Sequence, residues 1–297
     1  MASAPSFVRG ALWMLAAAFS FAVLLASVRW LATTIPAVEI VFFRNLVGLG
    51  LAVPLIVHGG LAVLRTERFA MHGLRATLSW LAMLTNFWAL SYVGLADTAA
   101  LLFVIPLFSI VLAALVLKET VDAPRWIAAI IGFGGAMIII RPGVIPFELP
   151  VLVMVLSTIF YAGTWIVLKS LSGTEPAAVT VAYLNILNLP LTLVPSLFVW
   201  VTPTLEQIPV ILALGLAGWG AHYCQARSFA AADASAVMPI DFMRLPFTAI
   251  LAFVLFGEAS DVWTWVGAIV IFAASTYITR REAMAKRGGP STTAAPH

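Results

Sequence analysis

The sequence has few charged residues. Only 10% of its 297 residues are Asp, Glu, Lys or Arg, whereas 62% are apolar, and the mean hydropathy is +1.05. Soluble domains carry roughly 25% charged residues, so this chain has too little charge to cover the surface of a soluble fold of its length. The composition therefore excludes a soluble protein and predicts an integral membrane protein surrounded by a lipid bilayer.

Cysteine and histidine are also scarce. Cys224 is the single cysteine, which excludes a disulfide framework and any cysteine-based zinc or iron-sulfur site. The four histidines stand at positions 58, 72, 222 and 297, and only His222 lies deep within an apolar run. We therefore expect neither a metal site nor a cofactor.

Apolar runs recur along the whole chain, separated by short segments rich in glycine, proline and charge. About 20 apolar residues cross a bilayer once, and ten spans fit the chain. They are predicted at 10–29, 37–57, 73–93, 98–117, 125–140, 149–168, 177–200, 207–227, 234–256 and 262–279. The first span lacks the cleavage pattern of a signal peptide, so we expect it to be retained. Residues 282–297 are predicted to form a disordered tail.

Basic residues are concentrated in alternate connections. If the N-terminus is cytoplasmic, twelve of the sixteen Lys and Arg residues, Arg75 among them, lie at the cytoplasmic side. The positive-inside rule then predicts ten crossings of the cell (inner) membrane with both termini in the cytoplasm. The net charge of +3 is accounted for by this topology, and we expect no nucleic-acid partner.

The two halves of the chain align at an offset of about 140 residues. Matching pairs include Pro36 with Pro176, Asn45 with Asn185, Pro106 with Pro246, Glu119 with Glu258, and Trp126 with Trp265. Because each half holds five spans, an odd number, the second half enters the membrane with the opposite orientation. We predict an all-α fold of two inverted five-helix repeats, residues 1–144 and 145–281, whose halves rock about a central site.

Three stretches carry a family resemblance: "VEIVFFRNLVGLG", "ALSYVGLADTAALLFVIPLFSIVLAALVLKE" with "GFGGAMIIIRPG", and "PIDFMRLPFTAILAFVLFGE". They resemble the EamA repeats of ten-helix drug/metabolite transporters, over residues 10–280. The resemblance implies a cavity formed by spans 1–4 and 6–9. It places spans 5 and 10 at the periphery, against lipid or another subunit. A homodimer is therefore compatible with the resemblance. The motif positions that carry over are Arg44, Pro106, Glu119, Asp241, Arg244 and Glu258.

Polar side chains inside spans are costly in lipid and so mark candidate sites. Arg44, next to Asn45, either forms an ion pair with Glu39 or binds a substrate carboxylate or phosphate. His222 either bonds to a neighbouring helix or takes part in binding substrate or protons. These alternatives stay open at the level of sequence.

Arg244 lies ten residues into the predicted span 9, or about 15 Å deep at roughly 1.5 Å per residue. It should therefore face the cavity and pair with Asp241, three residues earlier. Pro239 and Pro246 flank this pair and interrupt helical hydrogen bonding, which predicts a discontinuity. We expect Arg244 to receive the anionic end of the substrate, while Asp241 is released or protonated as access alternates. A permanent structural pair is the alternative.

Aromatic and amide side chains accompany these charges in the predicted cavity spans. They would stack on an apolar or aromatic part of a solute and fix its polar end, although core packing is the alternative for each one. The complete predicted substrate-binding set is Arg44, Asn45, Asn86, Trp88, Tyr161, Trp165, His222, Gln225, Asp241 and Arg244.

Three functions are compatible with this pattern. The first is a secondary active transporter of a small anionic or zwitterionic metabolite, an amino acid or derivative, with export as the expected direction. No Walker motif is present, so protons or a counter-substrate would supply the energy. The second is transport of an aromatic vitamin-like solute such as riboflavin. The third is a membrane-embedded transferase, but the thirteen acidic residues are scattered rather than clustered, so we expect no enzyme.

Overall fold

The structure is a computed structural model that describes residues 4–59, 64–105, 107–108, 111–112, 123–141, 148–172, 174–231 and 240–287. Within these residues the chain forms helices joined by short turns and loops, with no strand. The prediction of an all-α fold is confirmed. Ten helices of eight or more residues occur in these ranges: α1 (Ala4–Leu31), α2 (Ala37–Gly59), α3 (Phe69–Leu90), α4 (Leu95–Leu102), α5 (Ala123–Ile140), α6 (Leu149–Ser172), α7 (Ala177–Ser196), α8 (Ile208–Ala231), α9 (Arg244–Phe256) and α10 (Val262–Arg287).

Each helix falls on one predicted span, with differences at several ends. α10 continues to Arg287, so the tail predicted to be disordered from residue 282 begins as helix. Its residues Glu282, Ala283, Met284 and Lys286 all favour helix. Three described segments are long and apolar enough to cross a bilayer by length and composition: Val8–Leu31, Leu149–Leu168 and Val179–Ser196.

Charged side chains join the two halves of the chain at one end of the bundle, here called the Arg29 end. Arg29 donates to Oε1 of Glu258 at 2.7 Å and to the carbonyl of Leu90 at 2.7 Å. The second oxygen of Glu258 accepts the Leu95 amide at 3.0 Å. Glu258, just after α9, therefore holds the last turn of α1 beside the start of α4.

Asp261 adds a second charged contact at the Arg29 end. It lies in the loop between α9 and α10, where its carboxylate accepts the Trp263 amide at 3.2 Å and bonds to Arg141. The bond from the Trp263 backbone, together with the bond from Arg141, holds the pKa of Asp261 below its usual value. The contact between Asp261 and Arg141 is therefore charged at neutral pH.

The opposite end, here called the Arg68 end, is held by a different set of hydrogen bonds. Arg68 donates to the carbonyl of Ser170 at 2.6 Å, to its hydroxyl at 2.7 Å and to the hydroxyl of Thr174 at 3.1 Å. Thr66 donates to Glu175 at 2.5 Å. The start of α3 is thus attached to the end of α6.

α5 and α10 pack closely against each other. A methyl group at Gly267 would lie 2.5 Å from the carbonyl oxygen of Gly135, and one at Gly135 would lie 2.9 Å from that of Gly267. Glycine at both positions lets the helices approach this closely. The outer surfaces carry exposed apolar side chains such as Ile130 and Ile269, as expected for helices that face lipid.

Candidate functional site

A cavity lies between the two halves of the bundle. Its empty space is about 860 Å³, part of which is open space at the mouth. Side chains from α1–α4 and α6–α9 line it, together with Ile105 just after α4; no described residue of α5 or α10 does. This is the arrangement that the family resemblance implies.

Equivalent positions of the two halves line the cavity. α1 contributes Phe21, Leu24 and Leu25, while α6 contributes Tyr161, Thr164 and Trp165, each 140 residues later in the chain. The α1 group is apolar, whereas the α6 group carries two hydroxyl groups and an indole NH. The cavity therefore suits a solute with an apolar face and a hydrogen-bonding face.

Three arginines line the cavity, and each is nearly inaccessible: Arg44 is 5% exposed, Arg75 4% and Arg244 8%. Arg244 donates to both carboxylate oxygens of Asp241 at 2.8 Å. Its guanidinium carbon also lies 4.0 Å from the centre of the Phe21 ring, a cation–π contact. The predicted pair of Asp241 and Arg244 is present.

Arg44 and Arg75 have no carboxylate partner among the described residues. Arg44 donates to the side-chain oxygen of Asn45 at 3.2 Å. Arg75 donates to the backbone carbonyl of Thr180 at 2.9 Å, and its Nε has no hydrogen-bond partner. Two buried guanidinium groups therefore reach the cavity, and no carboxylate in the described part of the chain neutralises them.

The alternative pairing of Arg44 with Glu39 is wrong. Glu39 accepts the Val201 amide at 3.1 Å and so bonds to the segment that follows α7. The five-residue step from Glu39 to Arg44 corresponds to about 500° of helical rotation at 3.6 residues per turn, so the two side chains leave α2 in different directions.

Seven of the ten predicted site residues line the cavity. Among them, Asn86 lies 3.1 Å from the sulfur of Met154 and 3.4 Å from the hydroxyl of Ser157. The rings of His222 and Phe21 are nearly perpendicular, with centroids 5.4 Å apart. The seven are Arg44, Asn86, Tyr161, Trp165, His222, Gln225 and Arg244.

The other three do not line it. Asn45 and Asp241 lie behind the surface, where they bond to Arg44 and Arg244 respectively. Trp88 instead packs on Tyr92 and the hydrophobic core. Its neighbour Phe87 is the lining residue, because a step of one residue turns a side chain by about 100° around the helix.

Arg75 is the main residue that sequence reasoning missed. The sequence placed it with the basic residues of the cytoplasmic edge, whereas the structure places it in the cavity. The sequence contains a pattern that could have identified it. Arg75, Ser79, Met83 and Asn86 are spaced three or four residues apart, as on one face of a helix, and all four line the cavity.

Helical hydrogen bonding is interrupted immediately before Arg244. The carbonyl of Phe242 accepts the Leu245 amide at 3.0 Å, a three-residue step. The four-residue step is unavailable to it because Pro246 has no amide hydrogen. The break agrees with the predicted discontinuity, and it places Arg244 at the first residue of α9. Pro239, Pro106 and Glu119 lie outside the described residues.

Comparisons with known proteins agree with this architecture. The model of the EamA-like transporter family matches residues 8–141 and 149–280. The chain is 31% identical to a riboflavin transporter of Vibrio cholerae, covering 94% of this chain and 96% of the relative. It is 29% identical to an S-adenosylmethionine uptake transporter of Rickettsia bellii, covering 87% and 90%. It is 28% identical to the pseudopaline exporter CntI of Pseudomonas aeruginosa, covering 91% and 96%.

The fold is also present among solved structures. The crystal structure of one protein matches this fold with a TM-score of 0.60 and 18% sequence identity. The match covers 90% of this chain and 98% of the chain in that crystal structure. At this identity the likeness concerns the fold alone.

Proposed function

Since the chain belongs to the EamA-like transporter family, we propose that it moves a small anionic or zwitterionic metabolite by alternating access at the central cavity. The chain is a membrane transporter and not an enzyme, as its family and its relatives establish. The finer proposal is carried by one observation: Arg44 and Arg75 reach the cavity without a carboxylate partner among the described residues.

A buried guanidinium without a counter-charge is unfavourable because water can no longer solvate it. A substrate carboxylate or phosphate would neutralise it and accept paired, charge-assisted hydrogen bonds. An amino acid or amino-acid derivative is our first candidate, because its carboxylate would meet Arg44 while its remainder lies against Tyr161 and Trp165.

An aromatic vitamin-like solute such as riboflavin is the second candidate. Tyr161, Trp165 and His222 offer rings on which a flat solute would stack, and Asn86 and Gln225 offer amide groups for its polar edge. Three of the relatives are named riboflavin transporters, at 30–31% identity. The two candidates differ in whether binding requires an acidic group on the solute.

Alternating access requires each end of the bundle to open in turn. We propose that residues 1–144 and 145–281 are inverted repeats. In support, the last turn of α1 meets Glu258 at the Arg29 end, whereas the last turn of α6 meets Arg68 at the opposite end. Opening towards the Arg29 end would break the bond between Arg29 and Glu258, and opening at the other end would break those from Arg68.

The pair of Asp241 and Arg244 is the proposed coupling element. A substrate acid group that reaches Arg244 competes with Asp241, so Asp241 is freed or protonated when the substrate binds. Protons or a counter-substrate would then drive transport. We propose that the Arg68 end faces the cytoplasm, with both termini on that side, because the positive-inside rule predicts this orientation from the basic residues.

Reconstituted liposomes test the proposal. Purified protein is expected to take up radiolabelled amino acids, and Arg44→Gln should reduce uptake at least tenfold, whereas Arg65→Gln, at an exposed position outside the cavity, should not. Uptake of riboflavin that survives Arg44→Gln would favour the second candidate. Failure to move any of these solutes across a panel of metabolites would contradict both.

A further inference from the structure

A substrate with one acidic group does not explain why a second arginine that no described carboxylate neutralises, Arg75, lines the cavity. We infer that Arg75 is a second anion receptor and that the substrate class is an elongated compound with an acidic group at each end. This inference rests on the proposed function, since it specifies which anions the same cavity accepts.

The charges around the cavity support two acidic groups. Asp241 is bonded through both oxygens to Arg244, which leaves the positive charges of Arg44 and Arg75 without a carboxylate among the described residues. A substrate with one negative charge would neutralise one of them and leave the other buried and unpaired. A substrate with two negative charges would neutralise both.

The two arginines also stand at different depths in the bundle. Arg44 is seven residues into α2, which begins at the Arg29 end, and Arg75 is six residues into α3, which begins at the Arg68 end. At about 1.5 Å per residue, these positions lie about 10 Å and about 9 Å from opposite ends of helices about 32 Å long. For two helices of nearly equal length that run in opposite directions, this separates the two Cα atoms by about 12 Å along the bundle. One carboxylate does not span that distance, whereas a compound with an acid at each end of a ring-sized spacer does.

A purely structural role does not account for Arg75. Its one hydrogen bond within the described residues goes to the carbonyl of Thr180 and joins α3 to α7. A neutral amide would donate the same bond without the cost of a buried charge. The Nε of Arg75, which has no partner and belongs to a side chain only 4% exposed, remains for a ligand.

The test uses two compounds that share a ring and differ in one acid group, phenylacetate and 1,4-phenylenediacetate. Their binding to the detergent-purified protein is measured by calorimetry. The diacid is expected to bind about 10- to 100-fold more tightly, the range for one charge-assisted hydrogen-bonded contact. Arg75→Gln should bring the ratio of the two affinities close to one.

Two further variants separate charge from folding. Arg65→Gln, which removes a positive charge at an exposed position outside the cavity, should keep the wild-type ratio. Arg75→Lys, which retains the charge and a donor for Thr180, should keep a several-fold preference for the diacid. Equal binding of both compounds by the wild-type protein overturns this inference alone, as does a ratio that Arg75→Gln leaves unchanged. Equal loss of both compounds in Arg75→Gln makes Arg75 structural and also overturns it. Binding of neither compound by the wild-type protein overturns the proposed anion site as well.

Discussion

The rings of Phe103 and Phe242 stack between the two halves of the chain, with centroids 4.1 Å apart and planes 16° from parallel. Phe103 directly follows the last residue of α4, and Phe242 lies two residues before the start of α9. The two residues are 139 positions apart, close to the offset between the halves. The stack therefore joins two equivalent helix breaks, next to the cavity-lining residues Leu102 and Arg244.

The first prediction concerns this stack. Phe103→Leu should lower the free energy of unfolding by about 1 kcal/mol, since an aromatic pair adds roughly 0.5–1.5 kcal/mol beyond its buried area. We also expect slower transport at unchanged substrate affinity, because the stack connects segments that move against each other. Unfolding is measured by SDS titration in mixed micelles and transport in liposomes. Phe253→Leu, at an exposed position on α9, serves as the control and should change neither quantity.

The second prediction concerns the ion pair of the Arg29 end. Arg29 and Glu258 are partly exposed, at 23% and 28% of their side chains, so their coupling free energy should be about 1 kcal/mol. A double-mutant cycle of Arg29→Gln and Glu258→Gln measures it. Arg68→Gln, at the opposite end, combined with Glu258→Gln should give additive effects. Additive effects of Arg29→Gln and Glu258→Gln would show that this ion pair does not hold the Arg29 end closed.

The third prediction separates the roles of Asp241 and Arg244. Arg244→Lys should weaken substrate binding at least tenfold, because lysine lacks the planar guanidinium group that lies over the Phe21 ring and would hold a substrate acid through paired hydrogen bonds. Asp241→Asn should instead change the pH dependence or coupling of transport, since it removes the group that we expect to exchange with the substrate. Wild-type transport by both well-folded variants would make the pair a permanent structural one.

The fourth prediction concerns the crossing of α5 and α10. Gly267→Ala should lower the free energy of unfolding by about 1–3 kcal/mol, because its methyl group would overlap the carbonyl oxygen of Gly135. Gly134→Ala is the matched control: no atom lies within 4 Å of its added methyl group, and alanine favours helix. This control should be neutral or stabilising. A stable Gly267→Ala variant would show that the two helices separate readily.

The fifth prediction concerns the orientation in the membrane. Reporter fusions at residues 60 and 290 should both report the cytoplasmic side, whereas a fusion between α7 and α8, near residue 203, should report the outer side. The physical reason is the distribution of lysine and arginine among the connections. A fusion at residue 60 or 290 that reports the outer face would contradict the topology.

Much of the fold could be predicted from the sequence alone. Apolar runs of about 20 residues fix where helices occur, since backbone groups in lipid must be bonded within a helix. The approximate repeat likewise anticipated that Phe21 and Tyr161 belong to equivalent helices. Pro246 anticipated the break before Arg244, because a missing amide hydrogen acts locally and needs no knowledge of neighbouring helices.

The composition of the site depended on tertiary structure. Sequence alone identified Arg44 and Arg244 as polar groups inside helices, but it placed Arg75 at the membrane edge and Trp88 in the cavity. Which side of α3 faces the cavity is decided by its packing on α6 and α7, which begin 59 and 87 residues after the end of α3. The same holds for Glu39, whose partner Val201 is 162 residues distant. Which segments are helical and which side chains are costly to bury could be predicted from the sequence, because both follow from local chemistry. Which of these side chains meet depends on the rotation and depth of each helix against its neighbours, and therefore on the folded bundle.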